Sequence, residues 1–138
     1  MLLPPVPWDG LEALIDVGHY NYIKLHAAPR INPYHEAMML DRVMHQGVRV
    51  SDRYNDAIGG PVIPMIRTIQ FSANPHLASS EWYRGIFTRY LDGKNDFIEN
   101  QLHGVIGGAA WAEFKLGIYN PSEGDMMRVY HLDGKGTK

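Results

Sequence analysis

The chain has 138 residues, of which 45% are apolar and 20% charged, so it can form one domain and is neither a disordered tail nor a polytopic membrane protein. Its net charge of −2, from 13 basic and 15 acidic residues, provides no footprint for a polyanion and argues against nucleic acid as a partner. The absence of cysteine excludes disulfides, thiolate zinc sites and thiol nucleophiles.

The first half of the chain is predicted to be an extended strap followed by short helices. A proline cluster within residues 1–10 cannot be helical, and the same segment lacks the basic and apolar regions of a secretory signal. Apolar residues at a helical period, and the caps Asn32-Pro33 and Ser51, predict three helices. These helices cover residues 11–25, 34–46 and 52–58. The proline-containing segment 61–75 is expected to be irregular or edge-extended, and no sheet of several strands is predicted.

The second half is predicted to contain two longer helices. A serine cap at position 79 or 80 starts a helix that runs through Leu91. A cap at position 95 or 96 starts a second helix that runs to about Tyr119 and ends at the following Asn-Pro pair. The polar tail over residues 121–138 is expected to be extended.

The last predicted helix has an unusual number of small residues. Each glycine in a helix interior costs about 1 kcal/mol relative to alanine, so the close approach of a neighbour is expected there. Gly104 and Gly108 form a G-x-x-x-G face that Ala112 extends, with Gly107 beside it, and this pattern is typical of helices that pack in lipid. We therefore predict that Gly104, Gly107, Gly108 and Ala112 contact a partner helix.

The segment from Phe97 to Ile118 is long enough to span a bilayer, which takes about 20 residues. Its ionisable residues lie toward the two ends, where side chains can reach the headgroup layer. They are Glu99, His103, Glu113 and Lys115. Composition alone slightly favours a buried helix over a membrane span.

A family resemblance changes that balance in favour of the membrane. The motif Arg89-Tyr90-Leu91-Asp92-Gly93-Lys94-Asn95, followed by His103 and then Gly107 in a small-residue helix, resembles subunit f of the mitochondrial F-type ATP synthase. In that family, a basic-Tyr-aromatic-Asp-Gly-x-Asn element precedes a single transmembrane helix. The resemblance covers residues 89–119, and Leu91 replaces the usual aromatic residue.

The resemblance implies a mainly α fold with a single transmembrane helix, an extended and partly helical N-terminal region and no independent globular core. The expected regions are a matrix-side part, a juxtamembrane helix, the transmembrane helix and a polar tail, over residues 1–78, 79–94, 95–120 and 121–138. The expected function is that of a non-catalytic subunit of the Fo region, which supports the proton-translocating subunit, the peripheral stalk and the dimer interface. Its partners would be other membrane and stalk subunits of a hetero-oligomeric complex that can dimerise. Its location would be the mitochondrial inner membrane, with the N-terminus in the matrix and the C-terminus in the intermembrane space.

A basic and aromatic cluster lies just before the predicted span. It consists of Trp82, Arg84, Arg89, Tyr90 and Lys94. Such clusters suit anionic headgroups, so cardiolipin is the expected bound lipid, and an exposed basic helix face is an equally weighted alternative.

No catalytic constellation is present in the sequence, and neither a metal nor another cofactor is expected. His35, Glu36 and His45 lack the spacing of a metal-binding motif, and no serine has a nucleophile elbow. The main alternative to the membrane subunit is a mainly helical assembly protein, such as a virion component, in which the glycine-rich segment is a buried packing helix. A small metal-dependent hydrolase is a more distant alternative.

Overall fold

The fold contains a five-stranded mixed sheet with helices on both faces. The computed structural model describes residues 6–25, 37–46, 62–72, 75–91 and 98–119. In chain order the elements are α1 (Trp8–Asp16), β1 (Tyr22–Leu25), β2 (Met39–His45), β3 (Ile63–Thr68), β4 (His76–Ala78), α2 (Ser80–Tyr90), α3 (Ile98–Gly107), α4 (Trp111–Phe114) and β5 (Leu116–Tyr119). The strand order is β2-β3-β5-β1-β4, in which β1 and β5 are parallel and the other neighbours are antiparallel. The predicted mainly α fold is therefore wrong.

Two apolar clusters, one on each face of the sheet, form the core. On one face, Leu11 and Leu14 of α1 pack with residues of β1, β3 and β5. On the other face, α2 and α3 supply Ile86, Leu102 and Ile106. Because helices cover both faces, all four residues of β1 and all four of β5 are buried. The prediction that the chain lacks a globular core of its own is also wrong.

The predicted helices of the first half are mostly strands. The helix predicted over 11–25 ends at Asp16, because Gly18 turns the chain at a φ of 82°, and β1 follows. Residues 39–45 of the helix predicted over 34–46 form β2. The segment predicted as irregular or edge-extended contains β3, which is an interior strand between β2 and β5. The helix predicted over 52–58 lies outside the described residues.

The prediction for α2 is confirmed. Ser79 is its N-cap, and the Ser79 hydroxyl oxygen accepts a hydrogen bond from the backbone N–H of Trp82 at 3.3 Å. The helix ends at Tyr90, with Leu91 as the C-cap.

The predicted transmembrane helix over 95–120 is wrong, whereas the location at the mitochondrial inner membrane stays a prediction. Its described part is divided among α3, α4 and β5, with breaks after Gly107 and at Lys115, which takes the left-handed conformation at a φ of 56°. As an interior strand, residues 116–119 are all buried, whereas an exposed helix would leave some of them in contact with solvent. Among the described helices, none is both long and apolar enough to cross a bilayer.

Candidate functional site

The outer strand β2 is the first feature of the fold that has the properties of a binding surface. It pairs with β3 on one side and is the outermost strand of the described sheet on the other. Leu40 and Met44 on this strand are 51% and 58% exposed, and Val62, just before β3, is 48% exposed. A register shift between Met39 and Asp41 marks a β-bulge at the start of the strand, so the regular part of the edge is 41–45.

Two contacts fasten this edge strand to the rest of the sheet. The Arg67 side chain on β3 donates through Nε and Nη2 to the two carboxylate oxygens of Asp41, and its guanidinium lies 4.7 Å from the centre of the Trp111 ring. At the other end of the strand, the Tyr20 hydroxyl is hydrogen-bonded to Nε2 of His45 at 2.7 Å. Bidentate geometry and a partly buried hydrogen bond hold β2 in one position, which is the pre-organisation that strand pairing needs.

The Tyr20 side chain reaches β2 by crossing the sheet over Gly117. An added Cβ at Gly117 would lie 2.7 Å from two carbons of the Tyr20 ring and 2.8 Å from the Met65 methyl group. The absence of a side chain at position 117 is therefore what allows the ring to lie against β5. The Tyr20 ring also makes an edge contact with Trp111, with the ring centres 5.9 Å apart.

The protonation states of Tyr20 and His45 follow from their surroundings. Burial raises the pKa of the Tyr20 hydroxyl to about 12, with nearby Arg67 lowering it and Asp41 raising it. Burial lowers the pKa of His45, and the charges of His19 and Arg67 lower it further. At neutral pH the Tyr20 hydroxyl is therefore protonated and His45 is neutral, so the hydroxyl can donate to Nε2.

A groove of 490 Å³ between α2 and α4 is the second candidate site. Its apolar lining residues are Trp82, Ile86, Tyr90 and Phe114, which are buried or half-buried and are called its floor, and its charged residues are Glu81, Arg89 and Glu113. Gly85 lies in its wall, and nothing is found within 4 Å of the Cβ that another residue would have there. The groove combines an apolar floor with a few charged groups, as small-ligand sites do.

Hydrogen bonds between distant segments fix the shape of the groove. The Ser79 backbone N–H donates to the Asn21 carbonyl at 2.8 Å, and the Asn21 side-chain amide donates to the Phe114 carbonyl at 3.0 Å. These bonds join the start of α2, the start of β1 and the end of α4. The Phe114 and Tyr90 ring centres are 6.0 Å apart, and the Arg89 guanidinium lies 5.6 Å from the Tyr90 ring centre.

The groove contains three of the five residues predicted to bind lipid, namely Trp82, Arg89 and Tyr90. Arg84 is exposed on α2 but does not line the groove, and Lys94 lies outside the described residues. The sequence could indicate the α2 side of the groove because positions 82, 89 and 90 share a helix face. Nothing in the sequence indicated that Glu113, which comes from a distant segment, lines the same groove.

The small residues predicted to contact a partner helix do not form one stripe. Gly104 and Gly107 are exposed on α3, with nothing within 4 Å of an added Cβ, and Ala112 is exposed on the separate helix α4. Gly108 lies in the turn between them, where an added Cβ would be 3.2 Å from the Gly104 carbonyl. Contact with a partner helix stays a prediction.

The remaining residues of the family motif are only partly described. His103 is half-buried on α3, whereas Asp92, Gly93 and Asn95 lie outside the described residues. Within the described ranges, no three histidine or acidic side chains come together in a way that could hold a metal ion. The chain matches no protein-family model, no curated protein and no solved structure.

Proposed function

We propose that this chain is an assembly protein whose copies join through the outer edge of β2. One observation carries the proposal: β2, an outermost strand of the described sheet, presents Leu40 and Met44, each more than half exposed. Apolar side chains next to strand backbone that has no neighbouring strand are typical of a surface that pairs with another chain.

The partner that fits this edge best is a second copy of the chain. Two identical antiparallel strands pair about a two-fold axis perpendicular to the sheet. This symmetry places each residue opposite a residue on the same face, and the residue at the centre of the register opposite its own copy. A register centred on Val43 avoids the bulge. It places Asp41 opposite the partner's His45, and Arg42 opposite the partner's Met44.

Each of these cross-strand pairs occurs twice in the dimer and is chemically compatible. A carboxylate faces an imidazole on the α1 side of the sheet, and an apolar side chain lies along the aliphatic stem of an arginine on the other side. A register centred on Arg42 would place two guanidinium groups opposite each other, which is unfavourable. The charge pattern of β2 therefore favours the register centred on Val43.

A role in assembly was predicted from the sequence as the main alternative to the membrane subunit, and the proposed function retains that role. The mainly helical fold of that alternative is wrong, but its role in assembly agrees with an exposed strand edge. A place in the membrane region of an ATP synthase stays a prediction from the resemblance. It relied on a span whose described part forms α3, α4 and β5 instead.

The test is a comparison of Met44→Lys with Met44→Glu by analytical ultracentrifugation of the full chain over a concentration series. Met44→Lys places a second cation opposite the partner's Arg42 in both symmetric pairs, and should weaken the dimer about 5- to 30-fold at 0.5–1 kcal/mol for each pair. Met44→Glu forms an ion pair at the same place and should preserve or strengthen the dimer.

The matched controls are Val105→Lys and Val105→Glu, because Val105 is an exposed apolar residue on α3, away from the edge. Neither control should change the dimerisation constant. A wild-type chain that stays monomeric at several hundred micromolar would refute the proposal. Equal effects of the two Met44 variants would refute the register.

A further inference from the structure

We propose that the groove between α2 and α4 binds a short free peptide of about three residues by its two charged ends. This inference is independent of assembly through β2, since the groove is built from α2, α4 and the start of β1. The peptide's positive end would lie near Glu81 and its carboxylate near Arg89, with Glu113 of α4 lining the same groove. Its central side chain would lie on the apolar floor.

The spacing of the charges along α2 sets the length of the ligand. Glu81 lies in the first turn of α2 and Arg89 in the last, eight residues later. At 1.5 Å per residue this separates the two positions by about 12 Å along the helix axis. Three extended residues at about 3.3 Å each, together with their terminal groups, cover a similar distance.

The charges of the groove determine which end of the peptide goes where. Two carboxylates and one guanidinium line it, so a complementary ligand carries one carboxylate and two positive groups. A free peptide that begins with lysine has this composition, since its α-amino group and side chain are both cationic. In the described part of the chain, no ion pair joins Arg89 to either glutamate, so the guanidinium is not neutralised within the groove.

The floor and the wall accept one apolar side chain in the middle of the ligand. Trp82, Ile86 and Phe114 supply apolar surface, and Gly85 leaves space above it. The same groove suits an anionic lipid headgroup less well, because such a headgroup supplies no positive group for Glu81 and Glu113.

The probe is the tripeptide lysyl-leucyl-alanine, compared with its C-terminal amide by calorimetric titration of the full chain. The free acid should bind about tenfold more tightly than the amide, because a charge-assisted hydrogen bond to Arg89 is lost with the carboxylate. In Arg89→Gln the two forms should bind equally. Arg84→Gln, the same charge change on the same helix outside the groove, should keep the tenfold preference.

Gly85→Leu provides an independent readout, since a side chain there should fill the groove and abolish binding of both forms. Its circular dichroism spectrum and melting temperature report whether the fold is retained, and Gly85→Ala is the smaller variant if leucine prevents folding. Failure of the tripeptide to bind at millimolar concentration would overturn the inference. So would binding of the wild type to phosphatidylcholine vesicles that contain cardiolipin, if Arg84→Gln and Arg89→Gln weakened it equally, because that result would indicate a lipid-binding helix face instead.

Discussion

Gly117→Ala tests whether the Tyr20 ring fastens β2 to the sheet in the way the geometry indicates. The new methyl group would lie 2.7 Å from two ring carbons and 2.8 Å from the Met65 methyl, whereas ordinary carbon contacts are about 3.5–4.0 Å. The ring must therefore retreat by about 1 Å. Tyr20 is 1% exposed and Met65 is fully buried, so neither can move without disturbing the core.

The expected change in the free energy of unfolding is the difference between two opposing effects. Overpacking of a core costs about 1–3 kcal/mol, and replacing a strand glycine by alanine recovers about 0.5–1 kcal/mol of conformational entropy. The net loss in the free energy of unfolding should be about 0–2.5 kcal/mol, centred on about 1 kcal/mol. For a chain of 138 residues a loss of about 1 kcal/mol lowers the melting temperature by about 3 °C.

The assay is thermal and urea unfolding followed by near-ultraviolet circular dichroism, with Gly104→Ala as the control. An added methyl at Gly104 meets nothing within 4 Å, so alanine in α3 should stabilise the protein by up to about 1 kcal/mol. In a Tyr20→Leu background, Gly117→Ala should be less destabilising, since its contact with the ring is gone while its contact with the Met65 methyl group remains. If Gly117→Ala has the same effect with and without the Tyr20 ring, the ring does not occupy this position.

Three further predictions concern the cap, a buried charge and a titrating histidine. Ser79→Ala should lower the free energy of unfolding by about 1 kcal/mol, because the N-cap hydrogen bond to α2 is lost, whereas Ser80→Ala should have little effect in the same urea titration. Lys24→Met should raise the melting temperature, because burial lowers the pKa of Lys24 while Glu99 raises it, and the net lowering means that the folded state disfavours the ammonium. A lower melting temperature would mean that the attraction to Glu99 outweighs desolvation. Because the pKa of His45 is lowered below 6.5 in the folded state, its contribution to stability is complete above pH 6.5 and declines as the pH falls toward the lowered pKa. His45→Gln should flatten the pH dependence of urea unfolding between pH 8 and pH 5, and an unchanged slope would assign it to other groups.

The elements that sequence could predict are those with local signals. The start of α2 is set by a serine whose hydroxyl bonds a backbone N–H three residues later, so both partners are visible in one short segment. The turn after α1 has a similar local origin in Gly18, although the periodic apolar pattern extended the prediction past it. Trp82, Arg89 and Tyr90 could be grouped because one helix face carries them.

The strands could not be recognised in the same way. β1 and β5 have four residues each and are buried on both faces, so they lack the alternation that distinguishes a half-exposed strand. A short apolar run of this kind is also compatible with part of a buried helix, and the glycines before β5 gave it the character of a membrane segment. Tyr20 and His45 are 25 residues apart, and only the sheet brings them together.

The order of the strands makes the edge and the groove compatible in one assembly. Strands β3 and β5 separate β2 from β1, whose start borders the groove. At about 4.8 Å per strand, β1 therefore lies about 14 Å from the pairing edge. A two-fold axis perpendicular to the sheet keeps α2 of both copies on the same face of the extended sheet, so a dimer would present two grooves in the same direction. Two linked peptides could then bind with the advantage of effective concentration, while a single tripeptide would not. Met44→Lys should therefore leave the affinity for one tripeptide unchanged and reduce only the affinity for a linked pair.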